Sequence, residues 1–82
     1  MNKLEIKAMC MDWLRDAWKE APIEERTEFR MCDEDDLIMY HMSLGMDMRN
    51  DNKLWTHQET IGHPDDFSME VIHSFWEELR GL

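Results

Sequence analysis

Residues 65–82 read "DDFSMEVIHSFWEELRGL", and this stretch decides the fold class. Phe67, Val71, Ile72, Phe75, Trp76 and Leu79 recur at spacings of three and four, the period of one α-helical face. Glu70, His73, Ser74 and Glu77 fill the other side, and Gly81 suits the helix end. A helix this amphipathic must bury its apolar stripe against other elements of the chain.

The upstream sequence supplies such elements. In residues 2–21, Asn2 and Glu5 have the spacing of a capping box, and Ile6, Met9, Cys10, Trp13, Leu14 and Ala17 form one face. Leu4, Met11 and Trp18 recur every seven residues on a different side. Residues 22–30, "PIEERTEFR", read as a short acidic helix with Pro22 at its first position and Ile23 and Phe29 as anchors. Residues 33–50 form a third long helix, with Asp33 as N-cap and Glu34, Asp35 and Asp36 at the positive end of its dipole. Leu37, His41, Leu44 and Met48 make one face of it, and Met39, Met42 and Met46 another. Gly45 inside this helix costs up to about 1 kcal/mol against Ala, a cost that a close helix crossing would explain. Residues 54–62 are a connection or a single turn, with Leu54 and Trp55 tucked inward. The expectation is an all-α single domain over residues 1–82: three main helices and one short one.

The totals bound the function. Eighty-two residues with a net charge of −10 bury a small core and repel phosphate, so direct nucleic-acid or anionic-membrane binding is not expected. Residues 22–36 alone carry seven acids against two arginines, a net of −5. Cys10 and Cys32 form no CxxC pair and read as reduced, which places the chain in the cytoplasm. No signal-peptide pattern and no membrane-length apolar run is visible.

The one stretch that resembles chemistry is "GHPDDFS", residues 62–68. His63, Asp65 and Asp66 are metal-ligand types, but a metal needs several such groups converging on one point. Helix capping needs less: Pro64 stops an upstream extension, an Asp or Ser among residues 65–68 accepts from the free N–H groups, and the second carboxylate meets Arg49. His41 on an apolar face reads as a satisfied core histidine, and His57 and His73 as exposed. No nucleophile elbow, zinc-protease or phosphate-loop motif is present.

Two surfaces remain as partner-binding candidates. The methionine row Met39, Met42 and Met46 and the stripe Leu4, Met11 and Trp18 are each core or interface, and a chain this small cannot easily bury both. At least one is expected to meet another chain, a protein partner or a second copy in a homodimer. Glu24, Glu25, Glu28, Asp33, Glu34 and Asp35 are either solvated or set against a basic partner surface, as carboxylates standing in for phosphates.

From residue 29 to residue 80 the pattern resembles a group of small bacterial and phage-borne proteins of unknown function. The residues that carry it are Asp35, Asp36, His41, Leu44, Gly45, Arg49, Asn50, Leu54, Trp55, His63, Pro64, Asp65, Asp66, Ser68, Phe75 and Trp76. The Trp55-to-His63 connection is shorter here than in that pattern, and the first helix lies outside it. The resemblance implies that Arg49 and Asn50 form one constellation with the His63–Asp66 turn. It implies no activity.

The expected function is therefore non-enzymatic, without cofactor or metal. The chain reads as a small acidic protein that binds and inhibits or modulates another protein. A phage-borne inhibitor of a host defence or nucleic-acid-handling complex, of the anti-CRISPR kind, fits by analogy. The alternatives are an oligomeric binder of an anionic small molecule such as a nucleotide, held by Arg49, Asn50 and Trp55, and a small metal-binding protein using His63, Asp65 and Asp66.

Overall fold

The last helix is the element against which the others pack. In the computed structural model, which describes residues 1–81, α1 spans Lys3–Glu20, α2 Ile23–Met31, α3 Met46–Asp51, α4 Gln58–Ile61 and α5 Pro64–Arg80. A 3-10 segment (Glu34–Tyr40) and a π turn (His41–Gly45) lead into α3, and a second 3-10 turn (Leu54–His57) leads into α4. The architecture is all-α. The helices α1, α2 and α3, together with the 34–45 segment, all contact α5. The radius of gyration, 12.2 Å, is close to the value of about 12 Å expected for a compact chain of this length.

The apolar residues of α5 end inside. Phe67, Val71, Ile72, Phe75 and Trp76 are buried with Ile6, Cys10 and Leu14 of α1, Phe29 of α2, and Leu37, Met48 and Leu54. Local chemistry fixes the start of α1 and the end of α5. Asn2 Oδ1 accepts from Glu5 N and Glu5 Oε1 accepts from Asn2 N, both at 2.9 Å, closing the capping box. Gly81 takes the left-handed conformation (φ 73°) that ends α5.

The structure corrects several sequence readings. The expected third helix over 33–50 is three successive geometries, not one α-helix, and Asp33 makes no capping bond. Pro22 sits at the N-cap of α2, one position before the helix, and Ile23 is 66% exposed rather than an anchor. Trp55 is 50% exposed, and only its neighbour Leu54 enters the core. The stripe Leu4, Met11 and Trp18 does not form one continuous exposed surface: Met11 is buried, Trp18 is half-buried against the core, and Leu4 alone is fully out. The reason is that α1 is approached from several sides. Helices α3 and α5 contact it, Trp13 Nε1 donates to Asp51 Oδ2 of α3, and Trp18 stands edge-on to Phe29 and Phe75.

Two polar clamps hold α5 to its neighbours. Arg15 of α1 donates from Nε and Nη2 to the two carboxylate oxygens of Glu78, at 3.1 and 2.7 Å. Near the same end, Trp76 Nε1 donates to Cys32 O, Arg80 Nη1 donates to Arg30 O, and His73 lies between Glu34 and Glu77. His73 is thus engaged rather than free. These bonds fasten the α2 exit, residues 30–34, onto one side of α5.

The Arg15–Glu78 pair gives a pH prediction. Hydrogen bonding to Arg15 holds the Glu78 carboxyl below its ordinary value. A depressed carboxyl contributes stability above its unfolded pKa and loses it as pH falls through the folded one. Both side chains are 43% exposed, so the pair is worth only about 0.5 kcal/mol after solvent screening. Glu78→Gln should lower the urea midpoint slightly at pH 7, and the difference from wild type should vanish on acidification below the carboxylate range.

Candidate functional site

The constellation around the α5 entrance comes first, because the sequence singles it out. Pro64 opens α5, and the residue before it, His63, is the N-cap. His63 Nδ1, not an Asp or Ser, accepts from Asp65 N at 3.1 Å. A ring nitrogen can do this because His63 keeps the extended backbone that proline imposes on its predecessor. Asp65 then faces Arg49, with Arg49 Nε 3.2 Å from Asp65 Oδ1. Arg49 Nη1 donates to Ser68 Oγ at 2.9 Å, and Nη2 donates to His41 O at 3.3 Å. Ser68, fully buried, donates its own hydroxyl hydrogen bond to Asp65 O at 2.9 Å. One guanidinium, its side chain only 12% exposed, thereby joins the π turn, α3 and the first turn of α5.

Gly45 lets this arrangement close. A Cβ there would stand 3.1 Å from Arg49 Nη1 and 3.3 Å from Tyr40 O. His41 is half-buried, with Nε2 3.9 Å from Asp65 Oδ2 and Nδ1 buried without a partner, so it is not the satisfied core histidine expected.

This geometry bears on the two chemical alternatives. His63 spends Nδ1 on the cap, Asp65 faces Arg49, and Asp66 is exposed; among the described residues no three His, Cys, Asp or Glu side chains come together as a metal-holding group. A cleft of about 510 Å³ does open beside Arg49, Asn50, Trp55 and His63. Its guanidinium is already committed, however, and Asp65 lines the same cleft, which disfavours a phosphate. Catalytic thiol chemistry is also unsupported: burial pushes the Cys10 thiol up to about 11, and burial followed by Asp36 raises Cys32.

The methionine row behaves differently. Met39 is 62%, Met42 67% and Met46 40% exposed, and Ile38 beside them is 64% exposed. Four large apolar side chains along one helical segment thus lie outside the core. Glu24, Glu25, Glu28, Asp33, Glu34 and Asp35 are all exposed on α2 and at the start of the 3-10 segment. The side of this segment turned toward α1 and α2 lines a groove of about 350 Å³ through Tyr40, Ser43, Leu44 and Asp47. Trp18 and Phe29 line it from α1 and α2. Sequence reading missed this groove, because its lining comes from four separate segments. The only hint was the aromatic content of each helix.

Two substitutions test the Arg49 constellation. Arg49→Met removes the ion pair to the half-exposed Asp65 carboxylate and the bonds to Ser68 Oγ and His41 O, while Ser68 keeps its bond to Asp65 O, and should cost about 1–3 kcal/mol in urea unfolding. Gly45→Ala should destabilise by about 1–2 kcal/mol through the crowding of Arg49 and Tyr40 O, although alanine at an unconstrained helix site is stabilising by up to about 1 kcal/mol.

No curated protein and no solved structure shows significant similarity to this chain. A family model does match, over residues 8–79, from the first helix to the end of the last. The chain belongs to the family described as a domain of unknown function, DUF6794.

Proposed function

We propose that the chain is a non-enzymatic protein-binding domain whose acidic, methionine-bearing face docks a basic and partly apolar surface of another protein. The observation that carries this reading is the row Ile38, Met39, Met42 and Met46 left outside the core. A chain with so few residues to build a core gains stability from each apolar side chain it buries, and here four in one segment are withheld. Flexible, polarizable methionines suit a surface that adapts to a partner. The partner's sign follows from charge: residues 22–36, which run into this segment, carry a net of −5, and the chain −10. A protein with a nucleic-acid channel has such a surface, and occupying it would exclude the nucleic acid. That outcome is the inhibitory function we infer, and the phage-borne, anti-CRISPR-like role is its most specific form.

The test compares three tagged proteins in nuclease-treated bacterial lysate: wild type, Met39→Ser/Met42→Ser/Met46→Ser, and Glu24→Lys/Glu25→Lys/Glu28→Lys. All six positions are exposed, so helical circular dichroism should be unchanged. Wild type should retain one basic protein in stoichiometric amount, and both variants should lose it. Undiminished recovery with both variants would overturn the proposal. So would sedimentation of wild type as a stable dimer that the serine variant dissociates, because the face would then belong to a second copy.

A further inference from the structure

The groove between α1, α2 and the 40–47 segment has a composition that selects a ligand. Four aromatic rings line it beside aliphatic side chains such as Leu14 and Leu44: Phe29 and Phe75 are buried, while Trp18 and Tyr40 are half-exposed. The four rings form one connected set. Trp18 lies 6.0 Å from Phe29 and 5.7 Å from Phe75, and Tyr40 lies 4.9 Å from Phe29, all in edge-on contacts. Three carboxylates, Glu25, Glu28 and Asp47, share the lining with a single cation, Arg26. Burial first, then Cys32, Glu28 and Glu25, push the Tyr40 phenol above its ordinary value, so two of the groove's carboxylates act on that ring. Aromatic rings beside carboxylates attract a cation that is planar and weakly hydrated, which describes guanidinium better than ammonium.

Arg26 adds a second and independent observation. Its Nε–H is buried with no acceptor, and it forms no ion pair among the described residues. A buried donor without a partner is costly, and because the Arg26 side chain as a whole is only half-buried, a small turn on docking would bring Nε to an incoming carbonyl oxygen. A bare organic cation lacks that acceptor. A residue within a polypeptide carries it.

We propose that this groove receives an arginine side chain of the partner protein, with its guanidinium between Trp18 and Tyr40 and within the field of Glu25, Glu28 and Asp47, and with a neighbouring main-chain carbonyl accepting from Arg26 Nε. The inference rests on the protein-binding reading, and it names the anchor residue that the partner supplies. The methionine row and the groove lining (Tyr40, Ser43, Leu44 and Asp47) come from the same segment, so a partner seated on that segment reaches both.

The experiment is an NMR titration of the full chain with three blocked pentapeptides, Gly-Gly-X-Gly-Gly, in which X is arginine, lysine or citrulline. Citrulline keeps the shape of arginine and removes its charge. The arginine peptide should shift the Trp18 indole and the Tyr40, Glu25 and Asp47 amides in a saturable way. Citrulline should bind at least about tenfold more weakly, with lysine between them. Glu25→Gln/Glu28→Gln, isosteric changes at exposed positions, should weaken the arginine peptide severalfold without altering helicity. Equal binding of arginine and citrulline, shifts outside the groove, or no saturable shift at all would overturn the proposal. The titration uses no lysate partner, so its failure is distinct from that of the docking face. A partner lost with the methionine variant but kept with Glu25→Gln/Glu28→Gln would remove the groove proposal and leave the face.

Discussion

The buried guanidinium of Arg49 is the constraint on which the middle of this molecule depends. A charge placed at 12% side-chain exposure must be compensated, and here a carboxylate, a hydroxyl and a main-chain carbonyl do so together. Those three acceptors belong to Asp65, Ser68 and His41, which lie 16, 19 and 8 residues away in sequence. Satisfying one side chain therefore sets how the 34–51 segment crosses α5. Gly45 is part of the same requirement, since a Cβ there would crowd Arg49 Nη1 and Tyr40 O and push them back by a few tenths of an ångström. The helix-propensity cost of that glycine is recovered in packing and charge compensation.

The same crossing fixes which apolar residues reach the surface. The 3-10 segment overwinds the chain relative to an α-helix and the π turn underwinds it, so the two deviations partly cancel. Leu37, Gly45 and Met48 stay inward across all three geometries, and Met39, Met42 and Met46 stay outward. Period-3.6 reading therefore sorted these residues onto the right faces even though the segment is not one α-helix. It could not say which face the rest of the chain would cover. α5 covers the leucine side, and the methionine side remains open.

α2 and the 30–34 connection are held by different means. Trp76 and Arg80 bind the main-chain carbonyls of Cys32 and Arg30, while Phe29 reaches into the aromatic cluster. α2 contributes one buried residue and a row of acids, so its place is set by α5 and α1 more than by its own hydrophobic stripe. This arrangement brings its carboxylates beside Trp18 and Tyr40 and gives the acidic run a geometry. Dispersed in sequence, the same charges describe only a soluble surface.

The sequence by itself determined that the chain is all-α, the start of α1, the end of α5 and the core side of α5. These follow from spacing and local capping, which act within a few residues: Phe67 to Trp76, the Asn2–Glu5 box, Gly81. It also marked Arg49, through the expectation that a carboxylate of the turn before α5 meets it, with Asp65 and Ser68 among the residues named for that turn. Tertiary structure decided the rest. Met11 and Trp18 were drawn inside because α1 is approached by several elements at once, while Trp55 and Ile23 were left out. His63 became the cap, because its position before Pro64 directs Nδ1 to the first free N–H of α5. The aromatic groove exists only because four segments converge. Its energy lies in contacts between residues far apart in sequence, which no local period encodes.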